Sequence, residues 1–322
     1  MIAKPDTWKD SLGMWLNFWF TPVSMAQLAA MRIGTGLILL FTLFVGSFDL
    51  EAHFSVHGWG SLAALQQLDP MEWPFSVLGW FSNSFWLWSV HVLAMLVALA
   101  FILGILPTWS GALNLVFLLS YAHRNPAVQL SLDDLLFLAI FYLALTPCGR
   151  MVAVLRGWGL QWLADPALEP GAPAQPAWSG FPMRLLQVHL CLLYFSAGLA
   201  KLSPDWLAGV VFWHPRMAEA GLPLGLATLQ ATPQLSAFVI YGVILFQLFF
   251  PVFIWVPRFR YVTLGVALVM HLAVGLAWGS LPLNLLMLVL DLSFVRPQHV
   301  NGLAVRLADA IIGAASEKNR PR

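Results

Sequence analysis

Residues 187–206 read QVHLCLLYFSAGLAKLSPDW, a nearly continuous apolar run with a lysine at position 201. A run of this length and character matches a helix that crosses a bilayer. A charged lysine in hydrocarbon costs several kcal/mol, so Lys201 is a functional candidate from its position alone. Tyr194 lies two helical turns before Lys201 and therefore shares its face. Ala197 and Gly198 lie between them, and such small residues let another helix or a flat ligand approach closely.

The end of this run predicts a stop followed by a new helix. Ser203 is a typical helix cap, and Pro204 suits the first helical position. Asp205 favours the positive end of the helix dipole, and Trp206 is expected at the membrane interface.

The composition predicts a polytopic membrane protein. The chain has 322 residues, of which 60% are hydrophobic and only 10% charged, whereas soluble domains have about 25% charged residues. The net charge of +1 gives no reason to expect nucleic acid as a partner. The expected fold class is therefore an all-α helical bundle in the membrane, with lipid as its surroundings.

Eight apolar segments predict about eight membrane spans. We expect an interfacial helix or a frayed tail over residues 1–24, a membrane domain over 25–297 and a basic cytoplasmic tail over 298–322. Arg32 is expected to snorkel to the membrane surface. The predicted spans are Ala26–Ser47, Phe85–Leu106, Ala112–Ala122, Leu135–Thr146, Met183–Leu202, Ala237–Val256, Val262–Trp278 and Leu281–Val295.

The distribution of Lys and Arg predicts the orientation. The segment 48–83 contains four acidic residues and no Lys or Arg, whereas the segments 147–182 and 257–261 each contain two arginines and the C-terminal tail contains four Lys or Arg. By the positive-inside rule, both termini are cytoplasmic. Lys201, Arg124 and Asp134 then face the cell exterior or periplasm, as expected for a protein of the plasma membrane.

Residues Tyr194 to Trp206, in the pattern YFxAGxxKLxxDW, resemble the signature of the vitamin K-dependent γ-carboxylases and of their bacterial relatives, the HTTM (horizontally transferred transmembrane) proteins. Further matches are the Arg124-Asn125-Pro126 segment followed by acids, and the region from Phe246 to Leu292 with His271. The resemblance covers most of the chain, roughly Leu28 to Pro297.

The resemblance implies a quinol-dependent enzyme, a lyase that modifies a peptide. In that chemistry Lys201 is the base that deprotonates a reduced naphthoquinone, such as a menaquinol, and no metal is expected. The oxidised quinol then removes a proton from glutamate, and CO₂ adds to the carbanion. The expected binding residues around Lys201 are Tyr194, Gly198, Arg124, Asn125, Asp133, Asp134, Asp205, Trp206 and His271.

Two departures from the carboxylases favour an alternative function. Asp133 and Asp134 stand where the carboxylases have an Asn-Asn-His segment, and we expect no counterpart of their large lumenal domain. The chain could instead be a non-carboxylating maturation or helper protein for an exported peptide. A transporter is a weaker hypothesis, because the two halves show neither an inverted repeat nor a matching pair of broken spans.

Each candidate residue also has a purely structural interpretation. Lys201 could snorkel or pair with Asp205. The pattern from Ser131 to Asp134 predicts a capping box, which is compatible with a site role for the acids. His271 could be a satisfied core histidine.

Overall fold

The computed structural model describes residues 8–21, 23–58, 75–81, 83–146, 177–209, 232–277 and 279–300. These residues form helices connected by turns and contain no strand, so the all-α prediction is confirmed. Most of the segment 147–182 and most of the predicted basic tail lie outside the described residues. The chain divides into two compact units, one of residues 1–184 with 296–322 and one of residues 185–295.

The described residues of unit 1 form six helices before the start of α7. They are α1 (Trp8–Phe20), α2 (Met25–Gly46), α3 (Leu50–Phe54), α4 (Ser84–Leu103), α5 (Pro107–Arg124) and α6 (Ser131–Ala144). Helices α2, α4, α5 and α6 pack into one bundle, in which α2 contacts α4 and α6, and α5 contacts α4 and α6.

Side-chain caps fix where two of these helices begin. Ser24 accepts a hydrogen bond from the backbone N–H of Gln27 at the start of α2, and Asn83 accepts one from that of Trp86 at the start of α4. Such caps satisfy backbone donors that have no partner inside the helix. Pro107 is the first residue of α5, where a proline fits because no intrahelical N–H bond is needed there. The predicted third span, Ala112–Ala122, is therefore too short.

Arg32 of α2 does not snorkel as expected. Its side chain is fully buried and lies against Gly104, the left-handed residue (φ 76°) that ends α4. A snorkelling guanidinium needs a path to water along its own helix, and here the end of α4 covers it.

Unit 2 contains most of α7 (Gly180–Ala200), then α8 (Pro204–Leu207), α9 (Pro233–Phe253), α10 (Arg260–Ala277) and α11 (Leu281–Asp291), which continues as a 3₁₀ turn over Leu292–Phe294. Helices α10 and α11 form a tight hairpin, α9 packs on α10, and α8 packs on α9.

The predicted number of eight spans is supported only in part. Each predicted segment coincides with a helix, but four segments of the described chain are long and apolar enough to cross a membrane: Met25–Phe54, Ser84–Leu103, Gly180–Ala200 and Pro233–Phe253. Shorter apolar helices occupy Arg260–Leu276 and Leu281–Phe294.

Helix α1 is a helix rather than a frayed tail, and it docks on the beginning of α7. The Arg184 guanidinium Nε donates to the Phe18 carbonyl at 2.8 Å and lies 5.0 Å from the centre of the Phe18 ring. The Phe20 ring stacks on Phe181. Trp8 and Trp15 remain exposed, and the interfacial location of this helix stays a prediction.

Candidate functional site

Lys201 is the first residue after α7, one position beyond the apolar span Gly180–Ala200. Its side chain is half-buried. Its Nζ donates to the Ala197 carbonyl at 3.2 Å and lies 5.1 Å from the centre of the Trp206 ring. Burial lowers the pKa of the Lys201 ammonium, because the charged form is less well solvated there.

The expected ion pair between Lys201 and Asp205 does not form. Asp205 is exposed, and among the described residues the contacts of Lys201 Nζ are a carbonyl and an aromatic face. A carbonyl and a ring stabilise an ammonium less than a carboxylate does. The lysine therefore keeps a positive charge less readily than an ion-paired one would.

Gly198 serves the packing of two helices. A Cβ at this position would come within 3.0 Å of the Leu248 side chain and 3.1 Å of its backbone nitrogen. The small residues of α7 allow either a helix or a flat ligand to approach. In the structure, helix α9 takes this place at Gly198.

Tyr194 is the centre of a buried polar cluster. Its hydroxyl lies 2.8 Å from Asp291 Oδ2 and 2.7 Å from His271 Nε2. His271 Nδ1 lies 2.8 Å from Asn284 Oδ1, and the Tyr194 ring stacks on Phe250 with 3.7 Å between the ring centres. All four polar side chains are at least 94% buried. Tyr194 and His271, both predicted site residues, are thus brought into direct contact.

The sequence interpretation missed two members of this cluster, Asp291 and Asn284. The signal for Asp291 was available, since it is the one acid in the apolar run 281–295, and ionisable residues inside membrane segments are rare and functional. Asn284 had no comparable signal, because a single asparagine in an apolar helix is as often a helix–helix hydrogen bonder.

An apolar groove of about 320 Å³ opens beside α7. Binding sites for small molecules typically start near this volume. Its lining residues are Val188, Cys191, Leu192, Phe195, Leu248, Pro251, Val252 and Trp255.

The predicted residues of unit 1 form a separate group at the connection between α5 and α6. Arg124 Nη2 donates to the Ser55 carbonyl at 2.8 Å, and Asn125 Nδ2 donates to the His53 carbonyl at 2.8 Å. Both side chains are at least 98% buried. They bind the last turn of α3 and the residue that follows this helix. The sequence pattern did not reveal these contacts.

The predicted capping box from Ser131 to Asp134 is wrong by one residue. Leu130 is extended and precedes the helix, and its backbone N–H donates to Asp133 Oδ2 at 2.8 Å. Asp134 instead accepts a hydrogen bond from Gln129 Nε2 at 2.7 Å. Because Ser131 is already helical, the carboxylate three residues after Leu130 takes the capping role.

A second buried histidine, His91, was also missed. Its Nε2 lies 2.9 Å from Ser47 Oγ, and its Nδ1 lies 2.6 Å from the Tyr121 hydroxyl. Only 1% of His91 is exposed. The Ser47 hydroxyl donates to the Leu43 carbonyl, so it accepts from His91 Nε2–H, and a neutral His91 then accepts from Tyr121. This network connects α2, α4 and α5.

We expect Asp133 to make the stability of the protein depend on pH. Burial raises the pKa of its carboxyl, the hydrogen bond from the Leu130 N–H lowers it, and the neighbouring Asp134 charge raises it, with a net increase. The folded state then binds this proton more tightly than the unfolded chain does. The stability of the wild type relative to Asp133→Asn should therefore fall as the pH rises above 3.8, the ordinary value.

Thermal unfolding in detergent over a pH series measures this difference. Asp49→Asn, which changes an exposed acid in the same unit, is the control and should follow the wild type. A difference between wild type and Asp133→Asn that stays constant from the acid range to neutral pH would contradict the expectation.

The described part of the chain contains no group of three His, Cys, Asp or Glu side chains placed to hold a metal ion.

Comparison with protein families gives a match to the HTTM domain over residues 20–278. The chain belongs to the HTTM family. Comparison with curated proteins and with solved structures gives no match. The apolar helices and the HTTM domain together make it an integral membrane protein.

The HTTM match includes Lys201, Tyr194 and His271, and in unit 1 Arg124 and Asp133. It ends before Asn284 and Asp291, the two cluster members that the sequence interpretation missed. The polar cluster therefore joins side chains from inside the HTTM match to side chains that follow it.

Proposed function

We propose that this HTTM protein is a membrane-embedded, quinol-dependent enzyme in which Lys201 acts as a general base on a reduced naphthoquinone. The observation that carries the proposal is the environment of Lys201: half-buried at the end of an apolar helix, with a carbonyl and an indole ring as its described contacts. Burial without a counter-charge makes a neutral amine accessible, and a neutral amine is what a base requires.

The apolar groove beside α7 supports a lipid-soluble ligand. Its walls are apolar, and Phe195 and Trp255 offer aromatic faces against which a ring can stack. A quinol that reacts with oxygen supplies a base strong enough to remove a proton from carbon. In this proposal Phe195 and Trp255 would hold the ring, and Lys201 Nζ, which is not among the residues that line the groove, would accept the hydroxyl proton.

The proposal includes an orientation and a location. Arg150 and Arg156 lie in the segment 147–182, Arg258 and Arg260 in the segment 257–261, and four further Lys or Arg in the C-terminal tail, which supports cytoplasmic termini. Lys201 would then act at the outer face of a bacterial inner membrane, where an exported peptide could be the acceptor of the chemistry.

Replacement of Lys201 by alanine is expected to slow oxygen-dependent conversion of a reduced naphthoquinone by roughly 10²–10⁴-fold, the usual contribution of a general base. The measurement is product formation by purified protein in detergent. Lys201→Arg is the sharper variant, because it keeps a cation but cannot give up its proton at ordinary pH. It should be as slow as Lys201→Ala, whereas Lys9→Ala should match the wild type.

Two outcomes would overturn the proposal. Full activity of Lys201→Arg would show that charge, not basicity, matters at this position. A folded, monodisperse wild type that converts no quinol would favour the helper function, and binding of an exported peptide would then be the property to measure.

A further inference from the structure

The hydrogen atoms of the Tyr194 cluster can be placed from its geometry. Asn284 Nδ2 lies 3.0 Å from the Ser280 backbone carbonyl and 3.0 Å from the Ser280 hydroxyl. A carbonyl can only accept a hydrogen bond, so the amide NH₂ must face Ser280 and the amide oxygen must face His271. His271 Nδ1 therefore carries a hydrogen, which it donates to Asn284 Oδ1.

The Tyr194 hydroxyl has two short contacts and only one hydrogen. One contact is with His271 Nε2 and the other with Asp291 Oδ2. If His271 is neutral, its Nε2 is an acceptor, because its one hydrogen is on Nδ1. Tyr194 must then donate to His271, and only a protonated Asp291 can donate to the Tyr194 oxygen.

With one proton fewer, one of the two contacts would bring lone pairs together at hydrogen-bond distance. The cluster is therefore satisfied only when it holds one proton beyond the tyrosine and Nδ1 hydrogens. That proton can lie at Asp291, which leaves all groups neutral, or at His271 Nε2, which leaves a carboxylate and an imidazolium.

The surroundings favour the neutral arrangement. Asp291 Oδ1 is buried and has no hydrogen-bond partner in the described structure, and a buried carboxylate oxygen without a partner costs much more than the oxygen of a neutral acid. Phe246 and Phe250 of α9 present rings to Tyr194. From α7 the Cys191 thiol interacts with Asp291, and among the described residues no Lys or Arg hydrogen-bonds to the cluster.

We propose that Asp291, Tyr194 and His271 form a proton-transfer site inside unit 2 that holds one exchangeable proton on the Asp291 carboxyl. In a transfer the Asp291 O–H bond breaks and a new O–H bond forms at Tyr194, while the Tyr194 hydroxyl passes its own hydrogen to His271 Nε2. The products are a carboxylate and an imidazolium, and no oxidant or reductant is needed. Asn284 is a positioning residue, because it keeps the His271 Nε2 free to accept.

This inference does not depend on quinol chemistry. The ligand of the site is a proton, and ionisable side chains buried in membrane proteins commonly serve as proton relays. Failure of the quinol assay would leave it unaffected, and its own failure would leave the role proposed for Lys201 intact.

Infrared spectroscopy of the purified full-length protein at neutral pH tests the site, with isotope-labelled aspartate to identify the carboxyl groups. We expect the wild type to show the carbonyl stretch of a protonated carboxylic acid. Asp291→Asn should lose it, and Asp205→Asn, which changes an exposed acid, should keep it. Tyr194→Phe should shift the band to higher frequency, because the acid loses its hydrogen-bond acceptor.

Asp291→Glu keeps an acid at this position and should shift the band rather than remove it, so the test does not depend on the stability of one variant. The absence of an aspartic acid band from the wild type at neutral pH would overturn the proposal. A band of unchanged frequency in Tyr194→Phe would show that the proton does not lie between Asp291 and Tyr194, and would overturn it as well.

Discussion

Tyr194→Phe is expected to lower the free energy of unfolding by roughly 2–6 kcal/mol, since leaving one buried polar group unsatisfied costs about 1–3 kcal/mol and this change affects two. The variant retains the ring that stacks on Phe250 and loses only the hydroxyl. His271 Nε2 and Asp291 Oδ2 then lose the partner that links them. Little space opens for a compensating water, because both side chains are at least 94% buried.

Denaturant or thermal unfolding in a fixed detergent measures this effect. Tyr241→Phe is a matched control, because the Tyr241 hydroxyl makes one long contact of 3.5 Å to the Leu207 carbonyl at an exposed position. The control should remain within about 0.5 kcal/mol of the wild type, as surface changes usually do. Equal stability of Tyr194→Phe and Tyr241→Phe would mean that the cluster contributes nothing to folding.

Gly104→Ala is expected to destabilise unit 1 for two separate reasons. Gly104 has a φ of 76°, a conformation that costs a residue with a Cβ about 1–2 kcal/mol. The new methyl group would also overlap Arg32 Nη1 and lie 2.9 Å from Arg32 Cζ. Because Arg32 is fully buried, its guanidinium has no free space to move into, and the total loss should exceed the backbone cost alone.

Two control variants separate these contributions. Gly279→Ala has a similar φ of 64° with nothing within 4 Å of the new Cβ, so it measures the backbone cost alone. Gly46→Ala lies at the end of α2 with nothing within 4 Å and should be nearly neutral. If Gly104→Ala loses no more stability than Gly279→Ala, Arg32 yields freely and is not confined by the end of α4.

The sequence predicts the helices of this protein better than it predicts what their polar residues do. Hydrophobic runs locate the eight long apolar helices of the described chain, although α5 begins five residues before its predicted span, because burying an apolar face is a property of the whole segment. The capping prediction at Ser131 failed by one position. The first residue of α6 depends on the backbone angles of Leu130, and a sequence pattern locates a helix end only to within one or two residues.

The polar residues were harder to interpret because their partners are distant in the chain. The motif drew attention to Lys201 and Tyr194, and the contact of Tyr194 with His271 spans 77 positions. The resemblance placed Arg124 among the expected binding residues, and in the structure its Nη2 binds a backbone carbonyl 69 positions away. Only the fold determines which carbonyl a buried guanidinium reaches. Neither spacing nor composition could therefore have shown that Arg124 binds the Ser55 carbonyl.

The contact between α1 and the beginning of α7 sets an order of events during synthesis. The Arg184 side chain that holds the Phe18 carbonyl is made 166 residues later. At about 5–20 residues per second, the ribosome needs roughly ten to thirty seconds to supply it. Until then α1, with Trp8 and Trp15 exposed even in the finished fold, has no docking partner at that position. Helix α1 therefore cannot complete this packing until Arg184 has been synthesised.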